Sequence, residues 1–282
     1  MRHAFLIMAH TDFHRLRKLV EYLDDADNDI YVHIDAKSDG FDEAGFEGAC
    51  KFSSLSFVKP RLYLNWGGYS CVRAEMLLLE KAFEHGGYGY YHLLSGCDLP
   101  LKSCEYIHGF FEKNAGKEFV ECHDAPGHTA MRAMYYTVFP EGAGYPAKRL
   151  LNYIVKYVLM ALGIRRNRGV DFKCGSQWFS ITEGFASYVL SHSEWVDRTF
   201  SRSCLCDEMF LQTLLAGSPF YASCADDNMR LIDWNRREGG KSHPHTYTMA
   251  DFDVLKSSPK LFARKFDERT DAEIMDRIKE VW

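Results

Sequence analysis

The sequence predicts an α/β fold built around a central, mostly parallel β-sheet in a single globule. Three observations lead to this prediction. Short apolar runs with the length of buried strands recur in the first half of the chain, segments with helical spacing separate them, and polar residues follow each run. A strand, a helix and a second strand within the first 35 residues form a βαβ unit, which implies a parallel pair with a right-handed crossover.

The elements alternate most regularly over residues 1–125. Thr11 and Asp12 can cap the first helix, whose apolar positions recur from Leu16 to Leu23. We predict strands at 4–9, 29–35, 55–58, 90–94 and 118–121, and helices after residue 12, at 70–85 and at 105–113.

The second half is less regular and has no repeat, low-complexity tract or linker. We predict an apolar helix over residues 147–168, a loop entering a strand over 173–181, and a short helix over 206–215.

Composition excludes several classes of protein. Of the 282 residues, 46% are hydrophobic and 26% charged, which argues against wholesale disorder. The net charge of −5 gives no global basic surface for nucleic acid. The nine cysteines include no CxxC pair, so we expect reduced, buried thiols rather than a zinc site or a disulfide framework.

The apolar run at residues 4–9 resembles a targeting segment but is too short for one. A signal-peptide core needs roughly 7–15 apolar residues, and a transmembrane helix about 20. We therefore expect a cytoplasmic protein.

Polar side chains follow two of the predicted strands, where an open α/β sheet binds its ligands. Asp35 closes the second strand and could accept hydrogen bonds from a ribose or a base, with a solvated strand end as the alternative. Trp66, Gly67 and Gly68 offer a ring for stacking and a backbone that a ligand can approach closely, although a plain turn explains them equally well.

Two charged pairs in the second half are further candidates. Asp207 and Glu208 open the predicted helix at 206–215, where a carboxylate stays ionised and could act as a general base or simply cap the helix. Arg264 and Lys265 lie within the apolar run LFARKFD, so their partner is either a pyrophosphate or an internal carboxylate.

The sequence offers no pair of carboxylates where a divalent metal would bind a diphosphate. Such an ion needs hard oxygen ligands just after a central strand. The chain has only Asp98 there, and its Asp-x-Asp segments at 25–27, 27–29 and 251–253 follow no convincing strand. We expect no metal and no other cofactor, with lysine and arginine in the metal's place.

Eight motifs, taken in chain order, resemble those of glycosyltransferase family 14. This family comprises the core-2/I-branching N-acetylglucosaminyltransferases and the peptide O-xylosyltransferases, and the last motifs are more similar to the xylosyltransferase branch. The motifs cover almost the whole chain and read HAFLIMAH, YVHIDAKS, NWGGYS, HLLSGCDLPLKS, CGSQWFSIT, CDEMFLQTLL, DWNR and LFARKFD.

The resemblance implies a GT-A type, Rossmann-like fold and an inverting, metal-independent transfer from a UDP-sugar to a glycan hydroxyl. N-acetylglucosamine is the first expectation for the donor sugar and xylose the alternative, with glucose and galactose open. It also implies one catalytic domain over residues 1–282, with a nucleotide-binding half at 1–125 and an acceptor-binding, catalytic half at 126–282. Because the family's eukaryotic members carry a membrane anchor and disulfides, we expect a bacterial, cytoplasmic member that builds surface polysaccharide.

The family's functional residues fall on definite positions of this chain. Glu208 matches the catalytic base, and Arg237 or Lys241 could supply a second phosphate contact, since the family's own arginine falls near His245. A lysine of the family's acceptor site falls on Thr129, which alters that site. Asp35 matches the family's uridine contact, Lys265 matches the cation that neutralises the diphosphate, and Glu121 and Arg132 match acceptor contacts. We add Trp66, Gly67, Asp98 and Arg264 as candidate donor contacts and Trp178 as a candidate acceptor contact.

The helix predicted at 147–168 has cationic flanks and could lie on the inner face of a membrane, near a lipid-linked oligosaccharide acceptor. A buried core helix with solvated ends is the alternative.

Two rival functions use the same residues. A glycoside hydrolase would need a second carboxylate opposite Glu208, with Asp98 as the candidate, since adjacent Asp207 cannot easily flank the bond from the other side. A nucleotide-sugar-binding protein would bind UDP without turnover.

Overall fold

The structure is a computed structural model that describes residues 1–142, 144–235 and 243–282. Its strands are β1 His3–Ala9, β2 Asn28–Ile34, β3 Ser54–Phe57, β4 Tyr90–Ser95, β5 Asp98–Pro100, β6 His123–Asp124, β7 Lys173–Cys174, β8 Ser180–Thr182, β9 Arg230–Ile232 and β10 Phe262–Arg264. Its α-helices are α1 Phe13–Tyr22, α2 Tyr69–His85, α3 Cys104–Lys113, α4 Gly127–Met134, α5 Pro146–Ala161, α6 Glu183–Ser191, α7 Ser193–Phe200, α8 Phe210–Ala216, α9 Phe252–Ser257 and α10 Ala272–Arg277.

The central sheet has five strands in the order β3-β2-β1-β4-β8. The first four are parallel, and β8 runs antiparallel to β4, with His92 opposite Ser180. The predicted α/β fold with a central, mostly parallel sheet is therefore confirmed. The division into halves at residue 125 stays a prediction.

Both faces of this sheet are buried, which explains why its strands read as continuous apolar runs. Successive side chains of β1 enter opposite cores: Ala4 and Leu6 pack into one cluster, and Phe5 and Ile7 into the other. Asp12 caps α1 as predicted, because its side chain accepts a hydrogen bond from the backbone N–H of Arg15.

A second, three-stranded sheet in the order β5-β10-β9 lies next to the carboxyl end of β4. Its strands have three residues each and come from distant parts of the chain, with β10 antiparallel to β5 and parallel to β9. This sheet was not predicted, and it places Arg264 opposite Asp98.

Three predicted elements differ from the structure. Residues 118–121 form no strand, and only Glu118 and Phe119 make isolated bridges. The helix predicted at 206–215 begins at Phe210, so the two carboxylates lie in the turn before it. The helix predicted at 147–168 ends at Ala161. All nine cysteines are free thiols, and two of them, Cys122 and Cys206, are buried.

Arg230 joins the two sheets from a buried position on β9. Its guanidinium donates hydrogen bonds to the carbonyl oxygens of Leu93 at 3.0 Å and Phe179 at 2.6 Å, and to Ser180 Oγ at 2.8 Å. Burial lowers the pKa of Arg230 to about 9, and Asp98 opposes the shift.

We expect Arg230→Met to lower the free energy of unfolding by about 3 kcal/mol, because three buried acceptors each lose one hydrogen bond. Urea denaturation would measure the change, with Arg73→Met on the exposed surface of α2 as the matched control. A variant within about 0.5 kcal/mol of the wild type would contradict this role for Arg230.

Candidate functional site

A cavity of about 1410 Å³ lies at the carboxyl ends of β1, β2 and β4, as expected for an α/β sheet. Nine of the predicted site residues line it, although they come from widely separated segments. They are Asp35, Trp66, Gly67, Glu121, Arg132, Trp178, Glu208, Arg264 and Lys265. Arg237 and Lys241 lie outside the described residues.

Asp98 lies beneath the cavity rather than in its wall. Its carboxylate is fully buried, accepts the backbone N–H of Ser95 at 2.9 Å and forms an ion pair with Arg264 Nη1 at 2.9 Å. Burial raises the pKa of Asp98, and Arg264 opposes the shift. This position makes Asp98 a support for Arg264, and its predicted donor contact stays a prediction.

Arg264 is held from two sides. Besides Asp98, the ring of Trp178 lies under its guanidinium, with 4.5 Å between the guanidinium carbon and the ring centroid. Lys265 follows directly and lines the cavity. Within the described parts of the chain, no carboxylate forms an ion pair with Lys265.

Asp35 sits at the end of β2 with its carboxylate fixed by the neighbouring turn. Its Oδ1 accepts backbone N–H groups from Lys37 at 2.9 Å and Leu64 at 3.2 Å. Asp35 is almost completely buried and still lines the cavity. A carboxylate so placed can accept a hydrogen bond from a ligand that enters along β2.

The turn with Trp66 is built for close backbone contacts. Gly67 has a φ of +66°, and its carbonyl oxygen accepts the N–H of Leu205 at 2.7 Å, which ties this turn to the one with the two carboxylates. A Cβ on Gly68 would lie 2.1 Å from Glu141 Oε2. The second glycine therefore makes room for Glu141, which the sequence did not indicate. Trp66 itself is exposed at the cavity.

Glu208 is the accessible member of the carboxylate pair. About half of its side chain is exposed (51%), and its Oε2 lies 3.5 Å from Arg132 Nη1 on α4. Desolvation raises the pKa of Glu208, and Arg132 opposes the shift. The predicted acceptor contact Arg132 thus touches the predicted base.

A glycine also supports this carboxylate. The N–H of Gly175 donates to the Glu208 carbonyl oxygen at 3.0 Å, and a Cβ on Gly175 would lie 1.8 Å from the carbonyl oxygen of Glu121. Only glycine fits between these two backbone segments. Glu121 Oε1 in turn lies 3.0 Å from His123 Nε2.

Behind Glu208 lies a cluster of polar side chains that the sequence did not indicate. Glu75 on α2 is fully buried and accepts a hydrogen bond from Gln177 Nε2 at 2.8 Å. Burial raises the pKa of Glu75 well above its usual range, and Asp207 adds to the shift. Burial likewise raises the pKa of Asp207 to about 7, with Glu208 as the next cause. Asp207 Oδ1 is buried without a hydrogen-bond partner among the described residues.

One group of possible metal ligands occurs in the described residues, and it lies away from this cavity. Asp25, Asp27 and His108 each offer one ligand atom, with all three atoms within 4.8 Å of one another. None of the three lines the cavity. The expectation of a metal-free site stays a prediction.

Comparison with known proteins identifies the class. A family model described as Core-2/I-Branching enzyme matches residues 3–259. The match covers most of the chain. The chain belongs to the Core-2/I-Branching enzyme family, which confirms the resemblance stated from the motifs.

The individual relatives described next share only 22–25% of their aligned residues with this chain. The chain is 25% identical to Xylosyltransferase 2 from Canis lupus familiaris over an alignment of 297 positions, which covers 98% of this chain and 33% of the relative. It is 22% identical to Xylosyltransferase 1 from Mus musculus over an alignment of 302 positions, which covers 99% of this chain and 30% of the relative. The chain thus spans about a third of the length of these relatives. A crystal structure of mouse Xyloside xylosyltransferase 1 in its apo form aligns with a TM-score of 0.41 and 13% identity, over 93% of this chain and 97% of that one.

These relatives are mammalian, so the bacterial origin expected from the sequence has no support here. No helix within the described residues is long and apolar enough to cross a membrane. The cytoplasmic location stays a prediction.

The raised pKa of Asp207 gives a pH-dependent test. In the folded protein Asp207 keeps its proton up to about pH 7, whereas the unfolded chain releases it near the ordinary value of 3.8. The native state therefore binds more protons between these pH values, and the contribution of Asp207 to the free energy of unfolding falls as pH rises through them.

We expect Asp207→Asn to remove this cost, so that the variant gains about 2 kcal/mol over the wild type between pH 4 and pH 7. Urea denaturation at several pH values would measure the gain. Asp253→Asn on the exposed surface of α9 is the control. A difference that does not change with pH would contradict the burial of Asp207.

Proposed function

We propose that the chain is an inverting glycosyltransferase that moves a sugar from a UDP-sugar to a hydroxyl group of a glycan acceptor without a divalent metal. The observation that carries the proposal is that an accessible carboxylate, Glu208, and two cations, Arg264 and Lys265, line the same cavity in a member of this family. A base and a diphosphate-binding group are the two parts that such a transfer needs.

The proposed reaction is a single in-line displacement. Glu208 takes the proton of the acceptor hydroxyl, whose oxygen forms a bond to the anomeric carbon of the donor. The bond from that carbon to the diphosphate oxygen breaks at the same time, and its electron pair leaves with UDP. Lys265 and Arg264 offset the negative charge that grows on the diphosphate. Asp35 is the proposed uridine contact.

Two features support Glu208 over Asp207 as the base. Glu208 is accessible, whereas Asp207 Oδ1 is buried. Arg132 Nη1 lies 3.5 Å from Glu208 Oε2 and can stabilise the ionised form of Glu208 before the proton arrives.

The hydrolase alternative loses its second carboxylate in this geometry. Asp98 is fully buried and paired with Arg264, so it cannot protonate a leaving group or activate a water in the cavity. A binding protein without turnover remains the rival that the experiments below address.

The donor sugar is proposed with two candidates. N-acetylglucosamine is the first expectation from the family resemblance, while the relatives carry the name xylosyltransferase, which supports xylose weakly at 22–25% identity. The acceptor is proposed to be a glycan or a lipid-linked oligosaccharide.

We expect a screen of UDP-N-acetylglucosamine, UDP-xylose, UDP-glucose and UDP-galactose to find one donor that releases UDP at the same rate with and without EDTA. Arginine and lysine in place of a metal are the reason. Activity that EDTA abolishes and Mg²⁺ or Mn²⁺ restores would contradict the metal-free proposal. If the protein binds UDP tightly but releases no UDP from any of the donors, with any acceptor of an array, the result would favour the binding protein.

We expect Glu208→Gln to lower the turnover of that donor roughly 10²- to 10⁴-fold, because the amide cannot accept the proton. UDP binding by calorimetry should be unchanged, since the nucleotide contacts stay in place. The wild-type rate should fall as pH drops through the raised pKa of Glu208, and the residual rate of the variant should lack this step.

Glu105→Gln on α3 is the matched control, because it makes the same chemical change away from the cavity. A Glu208→Gln enzyme with near wild-type turnover would remove Glu208 from the mechanism.

A further inference from the structure

Helix α5 presents its apolar side to solvent, which reverses the usual pattern of a surface helix. All sixteen of its residues are described, and none is buried. Leu150, Ile154, Tyr157 and Val158 follow the i, i+4, i+7, i+8 spacing of one helix face, and they are 51–62% exposed. Leu162 and Ile164 extend the exposed apolar surface beyond the end of the helix. The structure therefore does not support the alternative that this segment is a buried core helix.

The opposite face attaches the helix to the protein. Asn152 is partly covered, accepting the N–H of Phe139 and donating to its carbonyl oxygen, each at 3.0 Å. Val155 and Leu159 lie on the same face and are also partly covered. The helix thus has a fixed side toward the protein, and its outward side lacks a partner among the described residues.

The segment that contains this helix carries charge of one sign. Residues 142–170 contain six cationic residues and no aspartate or glutamate, although the whole chain has a net charge of −5. The six are Lys148, Arg149, Lys156, Arg165, Arg166 and Arg168. A surface that is apolar in its centre and cationic around it complements an anionic lipid bilayer, in which the apolar side chains enter the interface and the cations meet headgroups.

Tyrosines at the helix add to this complementarity. Lys148 Nζ lies 4.5 Å from the ring centroid of Tyr145, and Lys156 Nζ lies 4.6 Å from that of Tyr153 and 4.8 Å from that of Tyr157. Tyrosine is favoured at membrane interfaces, because its ring is apolar and its hydroxyl is polar.

Both ends of the segment are tied to residues next to the cavity. Before the helix, Glu141 accepts hydrogen bonds from the N–H of Ser70 at 2.8 Å and from Asn65 Nδ2 at 3.1 Å, beside Trp66. After it, Asn167 Nδ2 donates to the carbonyl oxygen of Ala133, the neighbour of Arg132. A surface bound to α5 would therefore lie close to the cavity.

We propose that α5 is a membrane-docking helix that binds the protein to anionic phospholipid surfaces through Leu150, Ile154, Tyr157 and Val158 and the surrounding cations. The helix lies in the interface and does not span the bilayer. Docking here would bring the cavity to a lipid-linked acceptor, and only this last consequence rests on the proposed function.

The test is co-sedimentation with vesicles of phosphatidylcholine alone and of equal parts phosphatidylcholine and phosphatidylglycerol. The wild-type chain should bind the anionic vesicles, bind the neutral ones far more weakly, and dissociate as salt is raised. Leu150→Gln/Ile154→Gln/Val158→Gln should lose binding, and Arg165→Gln/Arg168→Gln should weaken it about tenfold or more.

Phe52→Gln/Tyr106→Gln/Val254→Gln is the matched control, because it removes three exposed apolar side chains outside α5 and should bind like the wild type. Circular dichroism checks that every variant is folded. UDP release, measured separately without vesicles, keeps a failure of docking distinct from a failure of the proposed function.

A wild-type chain that stays in the supernatant with anionic vesicles would overturn the proposal. So would a control that loses as much binding as the α5 variant. If analytical ultracentrifugation shows a dimer that the α5 substitutions dissociate, and vesicles are not bound, a second copy of the chain covers this face instead of lipid.

Discussion

The ion pair between the buried carboxylate of Asp98 and the guanidinium of Arg264 is the constraint on which the cavity depends. The carboxylate belongs to β5 and the guanidinium to β10, so the pair fixes two strands from distant parts of the chain. Removing one partner of a buried pair leaves an uncompensated charge and typically costs about 3–5 kcal/mol. Each group therefore holds the other in place, and the guanidinium comes to lie on the ring of Trp178. Lys265, the next residue, receives its position at the cavity from the same pair.

Close backbone contacts position the turn that carries Asp207 and Glu208. Gly67 and Gly175 bring three turns together by hydrogen bonds between main-chain atoms, one of them to the carbonyl oxygen of Glu208. At Gly175 the close approach leaves no space for a Cβ, which would lie 1.8 Å from the carbonyl oxygen of Glu121. The side chain of Glu208 is exposed while its backbone is held firmly, which is the arrangement that a general base needs.

Local patterns predicted the parallel strands and the cap at Asp12, because apolar runs and capping residues act over a few neighbouring positions. Local patterns and the family resemblance together pointed to nine residues that the fold gathers in one cavity. The small sheet, the junction at Arg230 and the buried Glu75 escaped prediction, since their partners lie far away along the chain. The exposure of α5 was left open for a related reason: an apolar periodicity predicts a helix but does not say which surface covers it.

The pKa of Asp207 has a consequence for whatever anion the cavity receives. A carboxyl group with a pKa of about 7 is close to half protonated in neutral solution. A negatively charged guest nearby favours the neutral form, so the protein takes up a fraction of a proton from the buffer as the guest enters and returns it as the guest leaves. The bound anion thus changes the net charge of the cavity. Because the proton comes from the buffer, the measured heat of binding includes the ionisation enthalpy of the buffer.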